Sequence, residues 1–334
     1  MPKVPFFRTS IDEDDIDRVA AVLRTDFLTT GPVAAELEAD LVSYTDTQAA
    51  VAVTSCTAAL HLCLVALGIK PGDEIITTPM TFVATANAIV HAGAKPVFVD
   101  VEPETGNIDV SKVEAAITDR TRVVMPVHLY GQMVDMVGLS EVAEARGIEI
   151  IEDAAQGVGV KFNDKHTGTF GSMGIFSFNG NKIVTTGGGG MIITNDEQLA
   201  EKAKHLSTTA KLPHPWLFIH DKVGYNYRLP NINAALGCAQ LEFIEKFVKK
   251  KRLLANSYSE WFREYGYEMV REPSRARANY WFNVLLTHGR SERDAFLEFT
   301  NKNSVMTRPA WTPMHTLEIY ARCVRTELPV TEWL

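Results

Sequence analysis

Residues 174–191 read GIFSFNGNKIVTTGGGGM. The apolar run of Ile175, Phe176 and Phe178 has the composition of a buried strand, and four glycines, Gly187 to Gly190, close the stretch. Between them lies one lysine, Lys182, with Ser177 five residues before it. A lysine between a buried strand and a glycine-rich turn is held on rigid backbone, and glycine lets a flat ligand come close. Such a lysine is placed to form a Schiff base, because burial near other cations lowers an amine's pKa. The same residues also describe an ordinary surface lysine beside a flexible turn, and this stretch alone does not choose between the two.

A second stretch bears on that choice. Ile150 to Gln156 read IIEDAAQ: apolar residues run straight into Glu152 and Asp153. This is the pattern of a parallel strand ending in a carboxylate at its C-terminal edge, where open α/β sheets bind ligands. An aspartate there can pair with a pyridinium nitrogen, and pyridoxal phosphate needs such a partner to act as an electron sink. Taken alone, Asp153 has a second, lesser reading as the cap of the next turn. Together, Asp153 and Lys182, one strand–turn–strand unit apart, point to a cofactor site.

Upstream, Ala49 to Val53 predicts a short strand, Thr54-Ser55-Cys56-Thr57 a small polar turn, and Ala58 to Leu67 a helix closed by Gly68. Strand, polar turn and helix make a phosphate cradle, in which amides and the positive helix end hold an anion. A simply capped helix is the other reading. Ser10 with Glu13 predicts a capping box ahead of a stripe at Ile16, Val19, Ala20 and Leu23. Strands alternate with helical patterns to about residue 205, which predicts a mainly parallel sheet with helices on both faces. The expected division is a large α/β domain over residues 1–245 and a smaller α+β domain over 246–334. The basic run Lys249 to Arg252 is read as a solvated helix end. His128, at a strand end, reads as a structural histidine.

The 334 residues suffice for such a pair of domains, and 46% hydrophobic with 22% charged residues is the balance of a globular protein. A net charge of −8 without a basic block argues against a nucleic-acid surface. No apolar run reaches membrane-spanning length, and MPKVPFF has no long apolar core, so no membrane association and a cytoplasmic location are expected. Cys56, Cys63, Cys238 and Cys323 have neither metal spacing nor a paired framework and read as reduced thiols; no metal is expected.

The stretches TSCTAALHL, GDEIITTPMTFVATANAI, KPVFVDV, MPVHLYGQ, IIEDAAQGVG, GIFSFNGNKIVTTGGGGM and GYNYRLPNINAALGCAQLE occur in one order across nearly the whole chain. In this the chain resembles the DegT/DnrJ/EryC1/StrS family of sugar-nucleotide aminotransferases. The resemblance implies the aspartate aminotransferase fold, fold type I, and pyridoxal 5′-phosphate as cofactor. SFNGNK and TTAKLPHPWLFIHDKVGYNYR look most like the branch that makes 4-amino-4,6-dideoxy N-acetylhexosamine nucleotides for nonulosonic (legionaminic-type) acid pathways. By resemblance Lys182 and Asp153 are the catalytic pair, and Gln156 lies near the cofactor's phenolic oxygen. Ser177, Thr57 and the backbone of Cys56 hold its phosphate. The family usually has glycine at position 56, and a backbone contact tolerates that departure.

The ring of Phe82 stacks on the pyridine in the resemblance; alone it would read as core. Asn226 resembles the residue that reaches the phosphate from a partner subunit, which implies a homodimer with shared active sites. Arg228 is a candidate for holding the carboxylate of the amino donor, L-glutamate, or for a structural ion pair. Thr30 and Gly31 resemble a stretch near a neighbour's nucleotide-sugar substrate, or form a plain turn. His214, Trp216 and His220 form either a sugar or nucleotide contact loop or packing between domains. Lys182 argues against the related dehydratases, which carry histidine there. Amino transfer at C3 and a regulatory homologue are the alternatives. Members of the family continue beyond Leu334, so the resemblance implies a C-terminal domain without its last elements.

Overall fold

A computed structural model describes residues 3–334; Met1 and Pro2, part of the leader reading above, lie outside it. Helix α1 (Glu13–Leu23) starts two residues later than its expected cap. Asp12 and Asp15 form the capping box instead: the Asp12 side chain accepts from the Asp15 N–H and the Asp15 side chain from the Asp12 N–H. Two carboxylates at the positive helix end outcompete a hydroxyl three residues from Glu13. Helix α2 (Pro32–Thr45) follows, with Gly31 as its N-cap.

The chain then lays down β1 (Ala49–Val53), α3 (Cys56–Leu67), β2 (Glu74–Thr77), α4 (Ala84–His91), β3 (Lys95–Phe98), α5 (Val110–Val113) and β4 (Thr121–Met125). Helix α6 (Met136–Arg146), β5 (Glu149–Asp153), the small hairpin β6 (Lys161–Phe162) and β7 (Lys165–His166), β8 (Met173–Ser177), β9 (Gly190–Thr194) and α7 (Glu197–Ser207) come next. Helices α8 (Asn231–Glu242) and α9 (Ile244–Glu264), β10 (Glu268–Met269), β11 (Ala276–Arg277), β12 (Leu285–Leu286), α10 (Arg290–Lys302), β13 (Val324–Arg325) and α11 (Pro329–Trp333) complete it.

Eight strands form one sheet in the order β1-β9-β8-β5-β4-β2-β3-β13. Strand β9 runs antiparallel to both of its neighbours, and every other pairing in the sheet is parallel. The sheet is therefore mostly parallel, as expected of fold type I. Strands β1, β2, β4, β5 and β8 all release their chain at one edge, where ligands of such sheets bind. The strands are apolar on both faces because helices cover both: all of β8 and β9 is buried. Phe176 and Phe178 are fully buried, each a gain of about 1.5–3 kcal/mol.

The basic run does not end a helix. Helix α8 stops at Glu242 and α9 begins at Ile244, so Lys249 to Arg252 fall in the first half of α9. Two of them have partners: Lys251 Nζ donates to the Trp281 carbonyl at 3.0 Å, and Arg252 forks onto Glu272 at 2.6 and 2.8 Å. Helix α9 crosses from residue 245 to 246 without a break, and β13 returns the C-terminal stretch to the large sheet beside β3. Buried Asp100 fastens that return by accepting from the Val330 and Thr331 N–H groups. Among the described residues no helix is long and apolar enough to cross a membrane.

Candidate active site

Lys182 sits in the connection between β8 and β9. Its N–H donates to the Asn179 carbonyl at 2.9 Å. Thr186 N–H and Thr185 Oγ1 both donate to the Phe178 carbonyl, at 3.0 and 3.1 Å. Gly187 has φ +78°, a turn that β-carbon-bearing residues avoid. The loop is thus closed on itself, and Lys182 projects from it into a narrow cavity lined also by Ala155, Gln156, Ser177, Ile183 and Trp281. Burial pushes its amine down to about 8, while Cys56 and Asp153 pull it back up.

Asp153 is the last residue of β5 and 4% exposed. Thr85 Oγ1 donates to its Oδ2 at 2.7 Å and Ala155 N–H to its Oδ1 at 3.1 Å. Burial raises its pKa; Thr85, Ala155 and Lys182 oppose that rise. Its neighbour Glu152 is fully buried and takes a different part. The Gly168, Phe170 and Gly171 N–H groups donate to it at 2.7, 2.6 and 2.9 Å, and His128 Nε2 lies 3.0 Å away. Glu152 is saturated and structural, and His128 belongs to that structural network. Asp153 retains acceptor capacity toward the site.

Helix α3 presents the anion cradle. Ser55 Oγ caps Ala58 N–H at 3.1 Å, which leaves the first-turn amides of Cys56 and Thr57 at the positive end of a 12-residue helix. A β-carbon on Gly190 would stand 2.7 Å from Cys56 N, so the last glycine of the run is what admits this helix end. Gln156, 4% exposed, accepts the Tyr130 N–H on Oε1 at 2.5 Å, which leaves its NH₂ free to donate. Tyr130 adopts φ 54° to make that bond. Ser177 ends β8 beside the cavity.

A buried carboxylate, an amine lowered to about 8 and a helix N-terminus flanked by hydroxyls converge at one sheet edge. That donor set fits pyridoxal phosphate, whose ring nitrogen, carbonyl carbon and phosphate need those three groups.

The outer residues are arranged differently. Phe82 is 54% exposed, its ring 5.6 Å from that of Trp311. Asn226 is exposed on a segment whose backbone bridges to Thr208. Arg228 bridges by its backbone to Val53 and forms no ion pair within the chain among the described residues. Thr30 is exposed, and Gly31 packs against Asn231, where a β-carbon would meet Asn231 Nδ2 at 2.5 Å. His214 Nδ1 accepts from the Trp216 and Leu217 N–H groups, and His220 Nδ1 lies 2.8 Å from the Thr209 carbonyl. Both histidines fold an exposed loop on which Trp216 is 76% exposed, so the reading as packing between domains does not hold. Neither lines the Lys182 cavity of its own chain.

Sequence reasoning missed Thr85, Tyr130, Asn279 and Trp281. Asn279 Nδ2 donates to the Gln156 and Val158 carbonyls, both at 2.8 Å. The aromatic cluster at residues 280–282 was the one available signal. A larger cavity along α9 is lined by Lys246, Lys249, Arg252 and Arg277, but Arg252 and Arg277 are already paired with Glu272 and Glu245. Glu36, Asp40 and Cys238 also come within 4.8 Å of one another, with Arg18 supplying a counter-charge through Glu36.

The profile of the DegT/DnrJ/EryC1/StrS aminotransferase family matches residues 9–334. The GDP-perosamine synthase of Caulobacter vibrioides is 38% identical over 99% of this chain and 91% of its own. The aminotransferase TlmJ from Streptoalloteichus hindustanus superposes with a TM-score of 0.94 at 30% identity, over 99% of this chain and 90% of TlmJ. Spr1654 from Streptococcus pneumoniae, solved in its PLP-form, gives 0.92 at 27% identity over 96% and 88%. With the fold and the edge-facing lysine and aspartate in agreement, the chain belongs to the DegT/DnrJ/EryC1/StrS family and is a sugar aminotransferase whose cofactor is pyridoxal phosphate.

Proposed function

We propose that this enzyme moves an amino group from L-glutamate to C4 of a nucleotide-linked 4-keto-6-deoxy (N-acetyl)hexosamine, in the branch serving nonulosonic acid or surface-glycan biosynthesis. The observation that carries the reading is that the Lys182 amine and the buried Asp153 carboxylate are close enough to act on each other's charge, with Cys56 of the α3 N-terminus near both. Pyridoxal phosphate, when bound, supplies an electron sink for the pair released as the donor's α-proton leaves.

Lys182 holds the cofactor and then moves that proton; an amine near 8 is a base close to working pH. Asp153 balances the positive ring nitrogen, and Thr85 and the Ala155 N–H keep its carboxylate aimed. Gln156 donates its NH₂ toward the phenolic oxygen. Thr57 and Ser177 give hydroxyls, and Cys56 its N–H, to the phosphate. Phe82 covers the ring face. Arg228, without an ion pair of its own, takes the donor's carboxylate.

Asn226, Thr30, Gly31, His214 and His220 lie outside their own chain's cavity. This supports a homodimer in which they complete the partner's site, Asn226 at the phosphate and the others at the nucleotide sugar. The functional division is a cofactor-binding part, residues 1–245, and a smaller part, 246–334, tied back to the sheet through β13.

A perosamine synthase among the relatives favours a second acceptor, a GDP-linked 4-keto-6-deoxyhexose without the N-acetyl group. The test is a panel of UDP- and GDP-linked 4-keto sugars, with and without the N-acetyl group, each supplied with glutamate. The amine is then located in the product by NMR. Purified enzyme should be yellow and bleach on adding glutamate. An amine at C3, or no turnover with any 4-keto acceptor, sinks the C4 reading. Turnover confined to GDP-linked acceptors selects the second.

A further inference from the structure

One side chain carries the C-terminal part of the molecule into the cavity. Trp281 is 2% exposed and follows α9 and β11 by sequence, yet its ring lies beneath the Lys182 amine, with Nζ 3.6 Å from the ring centroid. Its indole Nε1 donates to the carbonyl of Asn181, the residue before Lys182, at 2.7 Å. The same side chain therefore holds both the backbone that bears the lysine and the lysine's charged tip.

Trp281 is itself fixed. Its N–H donates to Asn279 Oδ1 at 2.8 Å, and its carbonyl accepts from half-buried Lys251 at 3.0 Å. Its ring stacks on Phe282 at 3.8 Å. Asn279 in turn binds the carbonyls of Gln156 and Val158, on the far side of the cavity.

We propose that Trp281 is a positioning residue for Lys182: its face holds the amine as a cation over the cavity floor, and its N–H clamps the loop that presents it. This rests on Lys182 being the reacting amine. An aromatic face attracts an ammonium most strongly where water is excluded, and tryptophan does so best. The titratable groups facing Lys182 from the other elements are Cys56 at the start of α3 and Asp153 at the end of β5. Both favour the cation, burial opposes it, and the indole face lies directly against the charge. The indole thereby keeps the amine from becoming neutral too far below working pH, and limits where it can swing.

The experiment is pH-dependent acetylation of Lys182, followed residue by residue with peptide mass mapping, in full-length protein stripped of cofactor. It compares wild type with Trp281→Leu and Trp281→Phe. A midpoint near 8 is expected for wild type. Trp281→Leu should lower it by about one pH unit or more, the size of a desolvated cation–π contact. Trp281→Phe keeps a weaker face without the N–H, so its midpoint should fall between the two. It should also take up pyridoxal phosphate several-fold more slowly than wild type, because the loop is unclamped.

Unchanged midpoints in both variants would overturn the proposal. Should Trp281→Leu fail to melt cooperatively, the Phe midpoint decides alone: a drop supports the contact, and no drop refutes it. A failure of the underlying reading looks different. Reductive trapping of the cofactor would then label another lysine, while the Lys182 acetylation midpoint would still respond to Trp281.

Discussion

The floor of the site and its rim are built on opposite terms. On the floor, Asp153, Gln156 and Ser177 are each 5% exposed or less, and every polar group that aims them comes from the same chain. On the rim, Trp216, Phe218 and Val223 are 76%, 78% and 86% exposed, and Asn226 and Thr30 are exposed too. Within one chain, then, the floor is closed and hydrogen-bonded while the rim lies open. Chemistry should respond to changes on the floor within one chain, and recognition to changes on the rim across two.

The largest effect should come from Lys182→Ala. Losing both the cofactor's anchor and the proton carrier should lower amination of the accepted sugar by at least about 10⁴-fold. The melting transition should remain cooperative, as seen by calorimetry. Adjacent carboxylates on β5 sharpen the point. Asp153→Asn should lower kcat by about 10²–10³-fold, in line with removing one preorganised electrostatic group. Glu152→Gln should do the reverse. Its carboxylate is occupied by Gly168, Phe170, Gly171 and His128, so the change should cost about 3 kcal/mol of folding stability in urea titrations. The folded fraction should turn over at near the normal rate. Equal kinetic damage from both substitutions would erase the distinction between them.

The rim is tested by mixing. Asn226→Ala and Lys182→Ala homodimers should each be nearly inactive. In a mixed dimer one site collects both defects and the other none, so random exchange of equal amounts should restore about a quarter of wild-type activity. Mixed dimers that form, as read by native mass spectrometry, and stay inactive would place both residues in one chain's site.

Much of the floor was legible because its information is local. Lys182 and the glycines that position it lie within one strand–loop–strand unit, and Asp153 ends an apolar run. What escaped notice is held by distant neighbours: Thr85 lies 68 residues from Asp153, and Trp281 lies 100 residues from the carbonyl it clamps. No periodicity registers such a pairing. The expected capping box failed for another reason: Ser10 and Asp12 both fit the pattern, and the stronger acceptor pair prevailed. The basic run was misplaced because the apolar stripe continues across Phe243, where one helix stops and another starts. On the rim the sequence named residues, yet exposure in a single chain is all that they display, as the proposed sharing of sites between two copies would have it.

The smallest predicted effect concerns what the floor costs the fold. Burial brings the Lys182 amine from its ordinary 10.5 down to about 8. Between those values the unfolded chain binds a proton that the folded chain does not, so this group's contribution to stability rises with pH through that window. Below about 8 both states are protonated, and the folded state bears the full penalty of a buried cation. Lys182→Met keeps the apolar stem and removes the charge. At about pH 7 the Met variant should be the more stable by up to about 3 kcal/mol, and that lead should shrink toward zero by about pH 10.5. Other titrating groups are common to both proteins and cancel in the difference. Urea titrations of both proteins across that range, without added cofactor, measure it. A lead that stays constant with pH would mean that the amine is not desolvated in the folded chain, and the contrast between a closed floor and an open rim would lose its energetic basis.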